Sequence, residues 1–222
     1  MKTITAADIA AMDKLVRVQF ATSLPGVKPV ALIGTRSADG RSNLAPFSSI
    51  VHFGSNPLIL GMVSRPDVAE RHTLSNLEAT GVWTINHLHP GIFEAAHHCS
   101  ARFPRETSEF AATGLIEHFE ENFHAPFVAE SRFRLGLEFA DRIDIPLNGT
   151  TLILGKVVLV QVEETALAAD GSVDLVGLEA VASTALDTYF GISPLGRLSY
   201  AKPDRPERSV RVPDRRPTVL RK

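Results

Sequence analysis

Short apolar runs broken by turn residues dominate the first hundred positions of the chain. Val30–Thr35 (VALIGT) is apolar and β-branched, and the Asp39-Gly40 pair after it is a hairpin-turn signal. The chain then returns through RSNLAPFSSI, Arg41–Ile50, which sets Asn43, Pro46, Ser48 and Ser49 among Leu44, Ala45, Phe47 and Ile50. Proline gives no amide hydrogen to a ladder, so this segment is expected at a sheet edge or at a bend. Leu58–Val63 (LILGMV), which follows Asn56-Pro57, and Val82–Asn86 (VWTIN) read as buried strands. Between them Asp67–Thr80 has helical spacing: Asp67 can cap, Ala69, Leu74 and Leu77 form a stripe, and Gly81 stops it. Ile92–Phe103 reads as a second helix.

In the second half Phe133–Phe139 (FRLGLEF) alternates with the period of a half-buried strand. Thr151–Glu164 is the longest strand candidate, and Gly155 inside it predicts a bend or bulge of the kind that closes barrels. Ala169-Asp170-Gly171 turns the chain again. Strands dominate and regular βαβ alternation is absent, so the expected fold is a mostly antiparallel, mainly β barrel with inserted helices. There is no internal repeat.

Composition refines this picture in a few places. A length of 222 residues with 44% hydrophobic and 22% charged content suits one large domain, expected over residues 1–202. No apolar run nears the roughly 20 residues of a bilayer span, and the N-terminal pattern MKTITAADIAAMDKL lacks the apolar centre of a signal peptide, so a cytoplasmic protein is expected. The one cysteine, Cys99, has no internal disulfide partner and reads as an inert thiol. Residues 203–222 form a basic arm rich in Pro and Arg. Counted from Lys202 it carries eight basic and three acidic residues, a net +5, which with the whole-chain charge of −2 leaves −7 elsewhere. Interleaved prolines forbid a continuous helix there, and no aromatic residue offers base stacking, which weighs against nucleic acid as a partner.

Candidate chemistry gathers in the first hundred residues. After LILGMV come Ser64-Arg65-Pro66, then Arg71-His72-Thr73 and Ser75-Asn76, cations and hydroxyls near an expected helix start. That combination can bind a phosphate through charge-assisted bonds and amide donors; the plain alternative is solvated Arg65 and Arg71 with Thr73 facing the core. The irregular segment around Pro46 supplies the other half, since backbone groups not used within the sheet, with Asn43 and Ser48, can serve a flat heterocycle or simply mark a bent edge.

The ordered series ALIGT, DGRSNLAPFSS, NPLILGMVSRP, RHTLSNLEATGVWTIN, TSEF and APFVAES resembles the flavin reductase-like family of the flavoredoxin type, from about Val30 to Val162. The resemblance implies a Greek-key split β-barrel that forms a homodimer with FMN near the subunit interface. It implies that Thr35, Asn43, Leu44, Ala45 and Ser48 face the ring or ribityl chain, and that Ser64, Arg65, Thr73 and Asn76 hold the phosphate. It further implies NAD(P)H as hydride donor and an electron acceptor, such as a partner oxygenase, downstream. GRLSYAK (Gly196–Lys202) is similar to the family's closing element but lacks its glycine pair, so no ligand contact is carried to Arg197 or Tyr200.

Histidines supply a competing signal. His87 and His89 are two apart, and His97, His98 and Cys99 are adjacent, yet residues 97 and 98 diverge by about 100 degrees on a helix and neither H-E-x-x-H nor paired Cys-x-x-Cys occurs. No metal site is expected, and a Gly-x-Ser-x-Gly nucleophile motif is missing. His97 and Glu109 are cleft candidates without assigned chemistry. The leading expectation is an FMN-dependent NAD(P)H:flavin oxidoreductase. A non-catalytic FMN carrier or electron-transfer module is the alternative, and metal-dependent hydrolysis rests on the histidines alone.

Overall fold

The DG hairpin forms as its residues require. In the computed structural model, which describes residues 1–66, 72–104, 106–185, 187–204 and 208–210, Gly40 takes a φ of +89°, open to glycine at no steric cost, and Arg36 pairs with Ser42 across the turn. In chain order the elements are α1 (Ala6–Ala11), α2 (Lys14–Ser23), β1 (Lys28–Pro29), β2 (Ala31–Arg36), β3 (Ser42–Phe47), β4 (Val51–Ser55) and β5 (Leu58–Ser64). They continue with α3 (His72–Thr80), β6 (Val82–His87), α4 (Phe93–His98), α5 (Glu109–Thr113), β7 (Glu117–His118) and β8 (Phe127–Val128). Then follow β9 (Phe133–Ile145), β10 (Thr150–Val162), β11 (Val181–Thr184) and β12 (Thr188–Gly191).

The main sheet has the order β3-β2-β6-β9-β10-β5-β4, antiparallel at every pair. Its two edge strands, β3 and β4, are consecutive in the chain and run in the same direction. They are one ribbon that pairs first with β2 and then, after Ser48–Ile50, with β5. Ser49 bridges the crossing: its hydroxyl donates to the Val63 carbonyl and accepts from the Val63 amide, both at 3.0 Å. The sheet is thereby closed into a split barrel, and the chain crosses one barrel end through α3 to lay β6 beside β2. The outer edges of β3 and β4 have no further strand paired to them in this sheet, so each needs another cover.

Both faces of β2 are covered, which is why its sequence is a continuous apolar run. Ala31 and Ile33 join Met62, Leu77, Trp83, Ile85, Leu135, Leu137 and Ile153 inside the barrel. Leu32 faces outward into a second core with Leu44, Leu88, Ala96, Phe110 and Val128, capped by α4 and α5. The irregularity expected at Gly155 is present as a bulge beside it: Leu154 pairs with Asp141 and Gly155 with Phe139, so the extra residue, Ala140, lies on β9 opposite. A Cβ at Gly155 would stand 2.7 Å from Cζ2 of the wholly buried Trp83, so the missing side chain lets the indole lie against bare backbone.

Several expectations needed adjustment. The second helix is shorter than Ile92–Phe103, because Ser100 and Ala101 donate to the carbonyls of His97 and His98 in a tightening last turn, and Phe103 precedes Pro104. The strand begun at Phe133 runs on to Ile145. The start of the first helix, with Asp67, Ala69 and Arg71, and residues 205–207 and 211–222 of the basic arm lie outside the described residues. Among the described residues no helix is long and apolar enough to cross a membrane.

Candidate functional site

One end of the barrel collects the polar residues. β2 and β5 both finish there, β3 and β10 begin there, and α3 lies across it, so Thr35, Asn43 and Ser64 come to the same end from three strands. Thr35 and Asn43 are cross-strand partners. Asn43 Nδ2 donates to Thr35 Oγ1 at 3.2 Å and to Thr73 Oγ1 at 3.0 Å, and Asn76 Nδ2 donates to Thr35 Oγ1 at 3.3 Å. All four are buried. A hydroxyl that accepts these bonds keeps its own hydrogen to give, so Thr35 and Thr73 can still donate to an anion or a polyol.

Ser64 is 5% exposed and sits two residues beyond Met62 on the barrel's inner face. Among the described residues its hydroxyl makes a single 3.5 Å contact, with the Arg65 carbonyl, weak by any geometric standard. Its cross-strand partner Thr151 donates to Asp144 Oδ1 at 3.0 Å. Arg65 follows with an exposed side chain. Ala45 and Ser48 are half-buried along the ribbon. Leu44 differs from the rest: its side chain is wholly buried in the outer core, so its backbone is what it can offer a ligand.

Part of that backbone is already engaged. The Leu44 amide points away from β2 and donates to Glu109 Oε2 at 2.9 Å. Amides two residues apart on a strand point the same way, so the hydrogen that Pro46 lacks would also lie on the open side. Pro46 costs the β2–β3 ladder nothing, and RSNLAPFSSI is an edge strand first and a crossing ribbon afterwards. Glu109 is 9% exposed, and burial pushes its carboxyl above the ordinary range against the opposing pull of the Leu44 amide, its own amide and His72. Arg41, Asn43, His72, Asn76, Thr107 and Glu109 line a small cleft at this edge. Beside it the buried Ser108 hydroxyl has no hydrogen-bond partner among the described residues. In the sequence Glu109 carries no signal beyond its place in the TSEF stretch.

The histidines disperse. His87 stacks on Phe133 at 4.5 Å and burial drives it down to about 4; His89 meets the Glu130 carbonyl; His97 contacts the Tyr189 hydroxyl at 3.0 Å; His98 packs on Phe103. Burial raises the Cys99 thiol to about 11, far from a reactive thiolate. Among the described residues no group of three or more His, Cys, Asp or Glu side chains could hold a metal ion. Arg197 pairs with Asp170 and Tyr200 is exposed.

Comparison with known proteins bears on the family and the fold. The model of the flavin reductase like domain matches residues 27–176. A candidate flavin reductase with a split barrel domain from Shewanella frigidimarina is 39% identical, with a TM-score of 0.87 over 90% of this chain and 100% of its own. Nitrilotriacetate monooxygenase component B from Bacillus cereus superposes with a TM-score of 0.78 at 21% identity, over 89% and 98% of the two chains. Flavoredoxin of Desulfovibrio vulgaris gives 0.68 at 22% identity over 82% and 93%; at such identities these two speak to the fold alone.

Proposed function

The chain belongs to the flavin reductase-like family, and from that premise we propose that it is an FMN-dependent NAD(P)H:flavin oxidoreductase. The observation that carries the reading is the polar quartet Thr35, Asn43, Thr73 and Asn76 at the same barrel end as Ser64 and Arg65. Hydroxyls, carboxamides and a nearby guanidinium fit a phosphorylated flavin, offering neutral donors for ring and chain and a cation for phosphate. In this reading Thr35, Asn43 and Ser48, with the backbone of Leu44 and Ala45, orient the ring and ribityl chain. Ser64, Arg65, Thr73 and Asn76 hold the phosphate. Bound there, FMN would supply the hydride and electron transfer, with NAD(P)H as reductant. The protein's own task is then orientation and exclusion of water, which calls for no side-chain acid or base.

The same reading makes the protein a homodimer, with the flavin near the interface. Edge strand β4 presents Val51 and Phe53, 50% and 51% exposed, as an apolar surface suited to a second copy. A partner oxygenase as electron acceptor suits a chain that shares its fold with a monooxygenase component. The test is direct. Purified protein incubated with FMN and dialysed should remain yellow, and anaerobic NADH or NADPH should bleach it within a turnover. A colourless protein sinks the flavin reading; a yellow one that neither nucleotide bleaches is an electron carrier instead.

A further inference from the structure

We propose that Glu109 is a positioning residue of the flavin site, its carboxylate standing in for a neighbouring strand on the open edge of β3 and so holding Asn43, Leu44 and Ala45 in the line the ligand needs. The inference rests on the flavin reading above.

Glu109 reaches this edge from 65 positions away in the chain. α5 docks on β3 by two means. Phe110 enters the outer core beside Leu44, and Glu109 takes the Leu44 amide; within α5 the Thr113 hydroxyl donates back to the Glu109 carbonyl at 2.7 Å. The apolar contact alone would suffice to seat a short helix. At 9% exposure the side chain meets the Leu44 amide out of water, where leaving that amide without an acceptor would be costly. The Leu44 amide follows immediately on Asn43, whose carboxamide joins Thr35 to Thr73. Any rotation of the ribbon at Leu44 therefore swings Asn43 out of the quartet. The carboxylate also lines the cleft shared by Asn43, Asn76 and His72, so the group that sets the strand is at the site it sets.

Three variants separate reach from charge: E109Q keeps the acceptor and loses the charge, E109D keeps the charge and loses the reach, and E109A loses both. Hydrogen exchange at the Leu44 amide is read in the flavin-free protein. Affinities for FMN and riboflavin are read by quenching of Trp83, the chain's one tryptophan. Loss of a hydrogen bond to a charged group is expected to speed Leu44 exchange and weaken both flavins about tenfold in E109A and E109D. E109Q should restore all three to near the wild-type values. An equal loss for FMN and riboflavin marks an effect on ring and chain, whereas a lost phosphate contact would spare riboflavin. Wild-type flavin affinity in E109A, or in a folded E109D should E109A not fold, overturns the proposal even if Leu44 exchange rises, as does unchanged exchange. A wild-type protein that binds neither flavin overturns the flavin reading first, and is recognised before any variant is made.

Discussion

His87 shows how a single side chain links packing to pH. Its ring lies flat on Phe133, with 8° between the planes, and burial holds its folded value near 4 against about 6.5 for a free imidazole. Above 6.5 the ring is neutral in folded and unfolded chains, and its packing contributes in full. As pH falls from 6.5 towards about 4 the unfolded chain takes up the proton first and the contribution is lost. For a half-buried ring this amounts to roughly 2 kcal/mol. Urea unfolding at pH 7.5 and 4.5 should therefore show wild type losing more stability than His87→Phe, which keeps the stack without the titration. Parallel losses in the two proteins would dismiss His87 as the cause. Glu109 is the opposite case at this scale, a buried acid whose worth lies in the one amide it holds.

Among the elements, β10 carries a sharp packing constraint. A strand of thirteen residues curves around a barrel through breaks in register; one of them falls beside Gly155, whose missing side chain gives the Trp83 indole room. Gly155→Ala puts a methyl 2.7 Å from Cζ2 and 2.9 Å from Nε1 of that ring. Overpacking of this kind costs about 1–3 kcal/mol. The expected outcome is a lower urea midpoint with a shifted Trp83 emission maximum; an unchanged midpoint and spectrum would mean that this position tolerates a side chain. Local pattern disclosed this element fully, since both the apolar run and its interrupting glycine lie within fourteen positions of each other. The β3–β4 ribbon was only half legible. Pro46 announced an irregular edge, yet nothing nearby said that the chain would leave one side of the sheet and join the other.

For the whole molecule, the question is what covers β4. The ribbon closes the barrel with its backbone, but Val51 and Phe53 remain half exposed on the outside. Phe53 also covers the bare backbone of Gly61, so Val51 is the cleaner probe. Val51→Asp should convert the proposed dimer to monomer, its scattering mass falling from that of two chains to that of one, with the barrel's circular dichroism intact. If flavin binds near the interface, affinity should fall in step with dissociation. A wild-type protein that is monomeric at micromolar concentration would remove both expectations.

The main strands of the barrel, the hairpin at Asp39-Gly40, the irregularity beside Gly155 and the family are contained in local patterns: apolar period, turn residues and motif order depend on neighbours a few positions apart. So are the polar residues of the candidate site, because their types and their order along the chain single them out. Tertiary structure alone decided that Thr35, Asn43, Thr73 and Asn76 share one hydrogen-bonded cluster, that Leu44 turns its side chain to the core, that Ser49 spans the crossing, and that Glu109 occupies the open edge. These contacts depend on register and barrel closure, which are set by pairings between distant segments. A residue 65 positions away leaves no periodic trace at the strand it completes.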